Sequence, residues 1–290
     1  MSWTYAHTFS LPAPPAQVFR ALTDMSELSR WFAESVETGR VAGEPYRFWG
    51  RHTLGAPTAR EATQVLTRFV PGAGLGFTWR LLGVDTEVDM ALAPGKDGIG
   101  TALALTHRVA GDLGVGRARE LIDDHWRLAL GNLQAHLAGG DGLLLPDYRD
   151  PAPEVRLTIT IAAPPARVFR ALLEPEAVNR WFGSTAAVVE PRVGGAYRLG
   201  WRYQVEGRDV EGGPTRILEL VPDRKLTLDW PDWRGDATVT GQQVTFLLEP
   251  AGAGTRLTFI HGGFGRAADI GDYPFGWREI LGNLRSEAER

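Results

Sequence analysis

Residues 154–163 read EVRLTITIAA, with Val155, Leu157, Ile159 and Ile161 alternating with polar neighbours. A period of two predicts a half-buried strand. The pattern then changes. In PPARVFRALLEPEAVNRWF, Val168, Phe169 and Leu172 share a helical face after an opening proline, and Pro175 interrupts the run before Val178, Trp181 and Phe182. Proline suits a first helical turn and breaks an interior, so the stretch predicts two short helices. Strand-like runs follow at 194–203, 215–221, 225–230, 237–250 and 255–261, separated by Gly and Pro. The final stretch, 272–290, brings Trp277, Ile280, Leu281 and Leu284 round at helical spacing.

The same pattern occurs earlier in the chain. APPAQVFRALTDMSELSRWF at 13–32 matches APPARVFRALLEPEAVNRWF at 163–182. GEPYRF (43–48) matches GGAYRL (194–199), Trp79 matches Trp230, GTALALTH (100–107) matches GTRLTFIH (254–261), and HWRLALGNL (125–133) matches GWREILGNL (276–284). The order is kept and the offset drifts only from 150 to 154, as small loop changes would produce. A whole domain has been duplicated in tandem. The Gly-, Pro- and Asp-rich stretch 139–154 has no sustained periodicity and reads as a connection. The expected organisation is domain one at 1–140, a linker at 141–153 and domain two at 154–290. Each copy runs strand, two short helices, about six antiparallel strands and a long helix, which in copy one covers roughly 115–138. That order predicts an α+β fold. A twisted antiparallel sheet with one apolar face needs a cover, and the long helix supplies it.

Composition narrows the functional classes. At 290 residues the length favours two domains of ordinary size. A net charge of −4 gives no basic field for nucleic acid. No run approaches the ~20 apolar residues of a membrane span, and the opening residues carry no secretory signal pattern, so a cytoplasmic protein is expected. Without cysteine there are no disulfides, thiolate metal sites or cysteine nucleophiles. His125 and His136 fall about 16 Å apart along one helix at ~1.5 Å per residue, too far to share an ion. No metal or cofactor motif occurs. DDH at 123–125 reads as a solvated helix face, and GAGLG at 72–76 as a hairpin turn.

The PP-x-x-VFRAL…RWF opening, the G-x-x-YR strand and the terminal GW-x-x-x-LGNL helix, present in both copies, resemble the SRPBCC, or START/Bet v 1-like, superfamily. Within it they look like the branch related to the C-terminal domain of the activator of the 90-kDa heat-shock chaperone's ATPase. The resemblance implies two tandem helix-grip domains, each a curved antiparallel sheet around a long C-terminal helix. It also implies cavities for apolar ligands. A fold of this kind hosts many functions, so the site must decide.

Strand parity nominates the lining. Tyr197, Leu199, Trp201 and Tyr203 share one face, as do Leu226, Leu228 and Trp230, and Leu257, Phe259 and His261. The counterparts in copy one are Tyr46 and Phe48, Phe77, Trp79 and Leu81, and Leu103, Leu105 and His107. The expected ligand-binding residues are Tyr46, Phe48, Trp79, His107 and Trp126 in copy one, and Tyr197, Trp201, Trp230, His261 and Trp277 in copy two. Tyr, Trp and His offer polar tips on apolar bodies, which suits a site that orients a mostly apolar ligand. Plain core packing is the simpler reading of each aromatic, and a satisfied structural imidazole that of each histidine.

Three functions compete. The first is binding of a hydrophobic or polycyclic small molecule for transport, sequestration or self-resistance, including resistance to an enediyne-type natural product. The second is a polyketide aromatase/cyclase-like enzyme, with Tyr46, Tyr197, His107 and His261 as acid/base groups. The third is a chaperone ATPase-activating cofactor, which needs a protein-facing apolar surface. Binding stands first, with no catalytic residue, cofactor or metal expected.

Overall fold

The computed structural model describes residues 2–140, 142–205 and 207–290; Asp141, the first residue of the expected linker, lies outside the described residues, as do Met1 and Glu206. The chain divides into two compact units, Met1–Pro151 with Arg266–Asp272, and Ala152–Gly265 with Tyr273–Arg290.

In the first unit β1 (Trp3–Leu11) leads into α1 (Pro15–Thr23) and α2 (Met25–Trp31). Then come β2 (Ser35–Thr38), β3 (Tyr46–Trp49), β4 (Leu66–Val70), β5 (Gly74–Leu81), β6 (Val84–Pro94), β7 (Thr101–Val109) and the long helix α3 (Ala118–Leu137). Five strands form an antiparallel sheet in the order β1-β7-β6-β5-β4, and β2 pairs with β3. In the second unit β8 (Val155–Ile161) precedes α4 (Pro165–Leu173) and α5 (Pro175–Phe182). Then come β9 (Val188–Val189), β10 (Tyr197–Arg198), β11 (Trp201–Val205), β12 (Arg208–Gly212), β13 (Ile217–Val221), β14 (Lys225–Asp229), β15 (Gln243–Ala251), β16 (Gly254–Gly262) and α6 (Tyr273–Ala288). Its main sheet has the order β13-β14-β15-β16-β8. Both units are the expected α+β helix-grip arrangement, with the sheet's apolar face closed by the helices.

The repeated signature is a set of local locks. Pro15 and Pro165 sit in the first turns of α1 and α4, where a missing N–H costs nothing. In α2 the Asp24 carboxylate caps the backbone N–H groups of Ser26 and Glu27. The indole N–H of Trp31 donates to the Ala21 carbonyl at 3.0 Å, and that of Trp181 to Ala171 at 2.9 Å. The Tyr46 hydroxyl donates to the Leu22 carbonyl at 2.6 Å, and that of Tyr197 to Leu172 at 2.9 Å. These four bonds pin each helix pair to itself and to the sheet by satisfying carbonyls at the C-terminal ends of α1 and α4, which their own helices leave free. Thr101 and Thr255 tie the last strands to the Ala13 and Ala163 carbonyls in the same way, at 2.6 and 2.7 Å.

Some boundaries differ from expectation. The expected strand 194–203 is broken into β10 and β11 at Gly200, whose φ of 70° is left-handed and whose missing Cβ would stand 2.8 Å from that of Ala186. The expected strand 237–250 starts only at Gln243. The long helix of the first unit starts at Ala118, because Arg117 has a left-handed backbone. The hairpin at 72–76 is present, with β4 and β5 paired around it.

Candidate ligand site

Each grip presents an aromatic cluster built by three elements. In the first, β5 brings Trp79, β7 brings His107 and α3 brings Trp126. The rings of Trp79 and His107 stack with centroids 5.6 Å apart, and Phe48 on β3 meets Trp79 edge-on at 5.1 Å. In the second grip Trp230 follows β14, β16 brings His261 and α6 brings Trp277. Trp230 lies 5.7 Å from His261 and 4.9 Å from Trp277. Of the expected residues, Tyr46, Phe48, Trp79, His107, Trp126, Tyr197, Trp230, His261 and Trp277 are all buried. Trp201 is half-buried and joins its cluster through Phe182, 5.6 Å away. Tyr46 rests on Phe48 and Phe77, but its hydroxyl and that of Tyr197 are already spent on backbone carbonyls.

The histidines are bonded alike in both grips. The Trp126 indole N–H donates to His107 Nδ1 at 3.1 Å, and the Trp277 indole N–H to His261 Nδ1 at 3.1 Å. An indole only donates, so Nδ1 accepts and the proton of the neutral ring sits on Nε2. Burial pushes both imidazoles down to about 3, so both stay neutral near pH 7. Neither Nε2 finds a partner among the described residues. Each grip therefore holds, at the equivalent positions His107 and His261, a fully buried neutral N–H donor with nothing to donate to; in the first grip the buried Nε2 of His125 is also without a partner among the described residues. Buried donors are nearly always satisfied, so each is a place where an acceptor is called for.

Sequence reasoning missed four residues. The DDH stretch is not a solvated face: Asp124 and His125 are buried. His125 lies 5.5 Å from Trp79, burial lowers it to about 3, and its Nδ1 shares a 2.7 Å hydrogen bond with the Tyr148 hydroxyl. Tyr148 belongs to the expected linker, which is bound along the first unit at Leu144, Pro146 and Tyr148. Asn132 grips Leu144 through both its backbone N–H and its carbonyl, at 2.8 and 2.7 Å, and His52 meets the Pro146 carbonyl at 2.8 Å. The other two are Gln242 and Gly276. The mismatch of His125 with Gly276 is visible in the paired HWRLALGNL and GWREILGNL, and Gln242 shares the parity of Val244 and Phe246; Tyr148 leaves no sequence signal.

Three surface cavities of about 520, 550 and 340 Å³ are lined by other residues, among them Arg20 and His136, Phe169 and Leu173, and Arg167 and Arg290. Among the described residues no three His, Asp or Glu side chains gather to hold a metal ion, and no helix is long and apolar enough to cross a membrane.

The family described as Activator of Hsp90 ATPase homolog 1-like protein matches residues 12–138 and again 162–289. This chain belongs to that family. Each match runs from the helix pair to the end of the long helix and begins just after the first strand of its grip. Among solved structures, an AHSA1-like protein of Rhizobium etli is 32% identical, with 48% of this chain and 82% of that one covered and a TM-score of 0.37. DynU16, from the dynemicin biosynthetic locus, is 20% identical with 99% and 97% covered and a TM-score of 0.40. The di-domain ARO/CYC protein BexL, from the BE-7585A biosynthetic pathway, is 16% identical with 99% of both chains covered and a TM-score of 0.37. No curated protein matches the chain.

Proposed function

We propose that this AHSA1-like protein binds a small, largely apolar molecule inside its grips. One observation carries the reading: the same buried Nε2–H stands without an acceptor at equivalent positions, His107 and His261, in both repeats. A satisfied structural histidine would not leave that group bare twice, because an unpaired buried donor costs ~1–3 kcal/mol. The aromatic walls supply the apolar contact and the N–H orients one acceptor of the ligand. Tyr46, Phe48, Trp79, His107 and Trp126 line the first site; Tyr197, Trp201, Trp230, His261 and Trp277 line the second. Tyr46 and Tyr197 serve as walls, with their hydroxyls occupied. Transport, sequestration or self-resistance toward a reactive natural product in the cytoplasm would each use such binding, and no catalytic step is needed.

The test is titration of the full chain with polycyclic and fatty-acyl probes, followed by tryptophan fluorescence. Saturable quenching that falls away in Trp79→Phe or Trp230→Phe, with circular dichroism unchanged, is the expected result. No response to any probe would overturn the reading.

A further inference from the structure

The repeats differ at several places around the same cluster, and two of them bear on what a ligand would meet. Position 125 in the first grip corresponds to position 276 in the second. His125 is 3% exposed and stands against Trp79. Gly276 is exposed, and a Cβ there would meet nothing within 4 Å. The imidazole of the first grip thus has no counterpart in the second, where the space beyond Gly276, next to Trp277, is empty, while Phe264 and Tyr273 pack against His261 with centroids 4.5 Å away. The other place is the residue opposite the strand tryptophan. In the first grip Thr86 pairs with Trp79, and its hydroxyl donates to the Trp79 carbonyl at 2.6 Å. In the second grip Gln242 takes that place, its backbone carbonyl accepting from Trp230 N–H at 3.0 Å.

Gln242 is 7% exposed, and its side-chain Oε1 has no hydrogen-bond partner among the described residues. It continues the buried alternation of Val244 and Phe246 on the inner face. Val244 pairs directly with His261, so Gln242 occupies the diagonal position, at a spacing of about 7–8 Å between backbones that long side chains bridge. The second grip thus sets an unpartnered donor beside an unpartnered acceptor, both in an apolar surround that makes bare polar groups costly.

We infer that the second grip takes a flat, neutral ligand whose hydrogen-bond acceptor and donor lie side by side, as in a lactam, entering past Gly276. The ligand carbonyl accepts from His261 Nε2–H and its N–H donates to Gln242 Oε1. Trp230 and Trp277 flank the ring. A carboxylate is disfavoured, because it brings a negative charge to the Gln242 oxygen and supplies no donor. The inference rests on the binding reading above and adds which grip is open and what chemistry it recognises.

The test uses the full chain and two probes, 2-quinolone, a planar lactam, and 2-methoxyquinoline, which keeps the rings but lacks the N–H. Wild type should bind 2-quinolone saturably. Gln242→Leu should weaken 2-quinolone about tenfold, the loss expected for one buried hydrogen bond, and change 2-methoxyquinoline less than twofold. Gly276→His, which copies the first grip, should abolish saturable 2-quinolone binding without lowering the melting temperature, since a helix position gains from losing glycine. If 2-quinolone binds equally well to both variants, or if other apolar probes bind and 2-quinolone does not, the lactam site is wrong while the binding reading stands. If neither 2-quinolone nor any apolar probe binds wild type, both fall.

Discussion

The two grips share a skeleton and differ in how it is closed. In each, an indole is locked to a helix carbonyl, a tyrosine to the carbonyl 24 or 25 residues earlier, and a histidine to the long-helix tryptophan. The first grip adds His125, Tyr148 and the Asn132–Leu144 clasp, so the connecting segment becomes part of its wall. In the second, Gly276 leaves that wall open, and Asn283, the counterpart of Asn132, is exposed. Even the polar pairs between helices are rewired. Glu27 on α2 meets His136 on α3, whereas in the second unit the base, Arg180, is on α5 and the acid, Glu287, on α6. Duplication has kept the bonds that hold the helix pair and freed the surroundings to change.

That comparison breaks most visibly at the locks. Trp31→Ala and Trp181→Ala each remove a fully buried indole and orphan a carbonyl. Each should cost ~3–5 kcal/mol in denaturant unfolding, and the two losses should be similar. A large difference would mean that the skeletons are not equivalent.

The clasp gives a smaller and one-sided effect. Asn132→Ala deletes two hydrogen bonds to Leu144 from a buried side chain and should cost ~1–3 kcal/mol. Asn283→Ala should cost almost nothing by the same measurement, and equal losses would erase the distinction between a strapped and an open grip.

Acid separates the grips more gently. The buried imidazoles take up no second proton until about pH 3, while in the unfolded chain they become charged below their ordinary value of 6.5. Their contribution is therefore complete above pH 6.5 and is lost progressively as pH falls toward 3. Each imidazole removes up to ~1.4 kcal/mol per pH unit in that window. Two such groups sit in the first grip and one in the second. Stability measured from pH 7 to 5 should fall less steeply in His125→Gln than in wild type; an unchanged slope would show that His125 titrates normally in the native state.

The sequence made the skeleton legible because its signals are local and repeated. Alternation on β7 and β16 placed His107 and His261 inside, and helical spacing placed Trp126 and Trp277. The long-range contacts were not legible. Adjacent helix residues point different ways, so DDH reads as surface. In the structure α3 is enclosed on most of its circumference, and Tyr148 covers the side that would otherwise face water. Gln242 shares the parity of Val244 and Phe246, but a polar side chain ahead of the apolar run does not announce its own burial. The broken strand at Gly200 depends on Ala186, fourteen residues away, and no periodicity announces it.

The binding proposed for both grips turns on a neutral imidazole whose Nε2–H is free to meet a ligand acceptor. Long-range ¹H–¹⁵N spectra of the histidine rings measure this directly. At pH 6 His107 and His261 should be neutral, with the proton on Nε2, and a saturating apolar probe bearing a carbonyl should move at least one of the two Nε2 resonances. Charged rings at that pH, or Nε2 signals that no probe shifts, would contradict it.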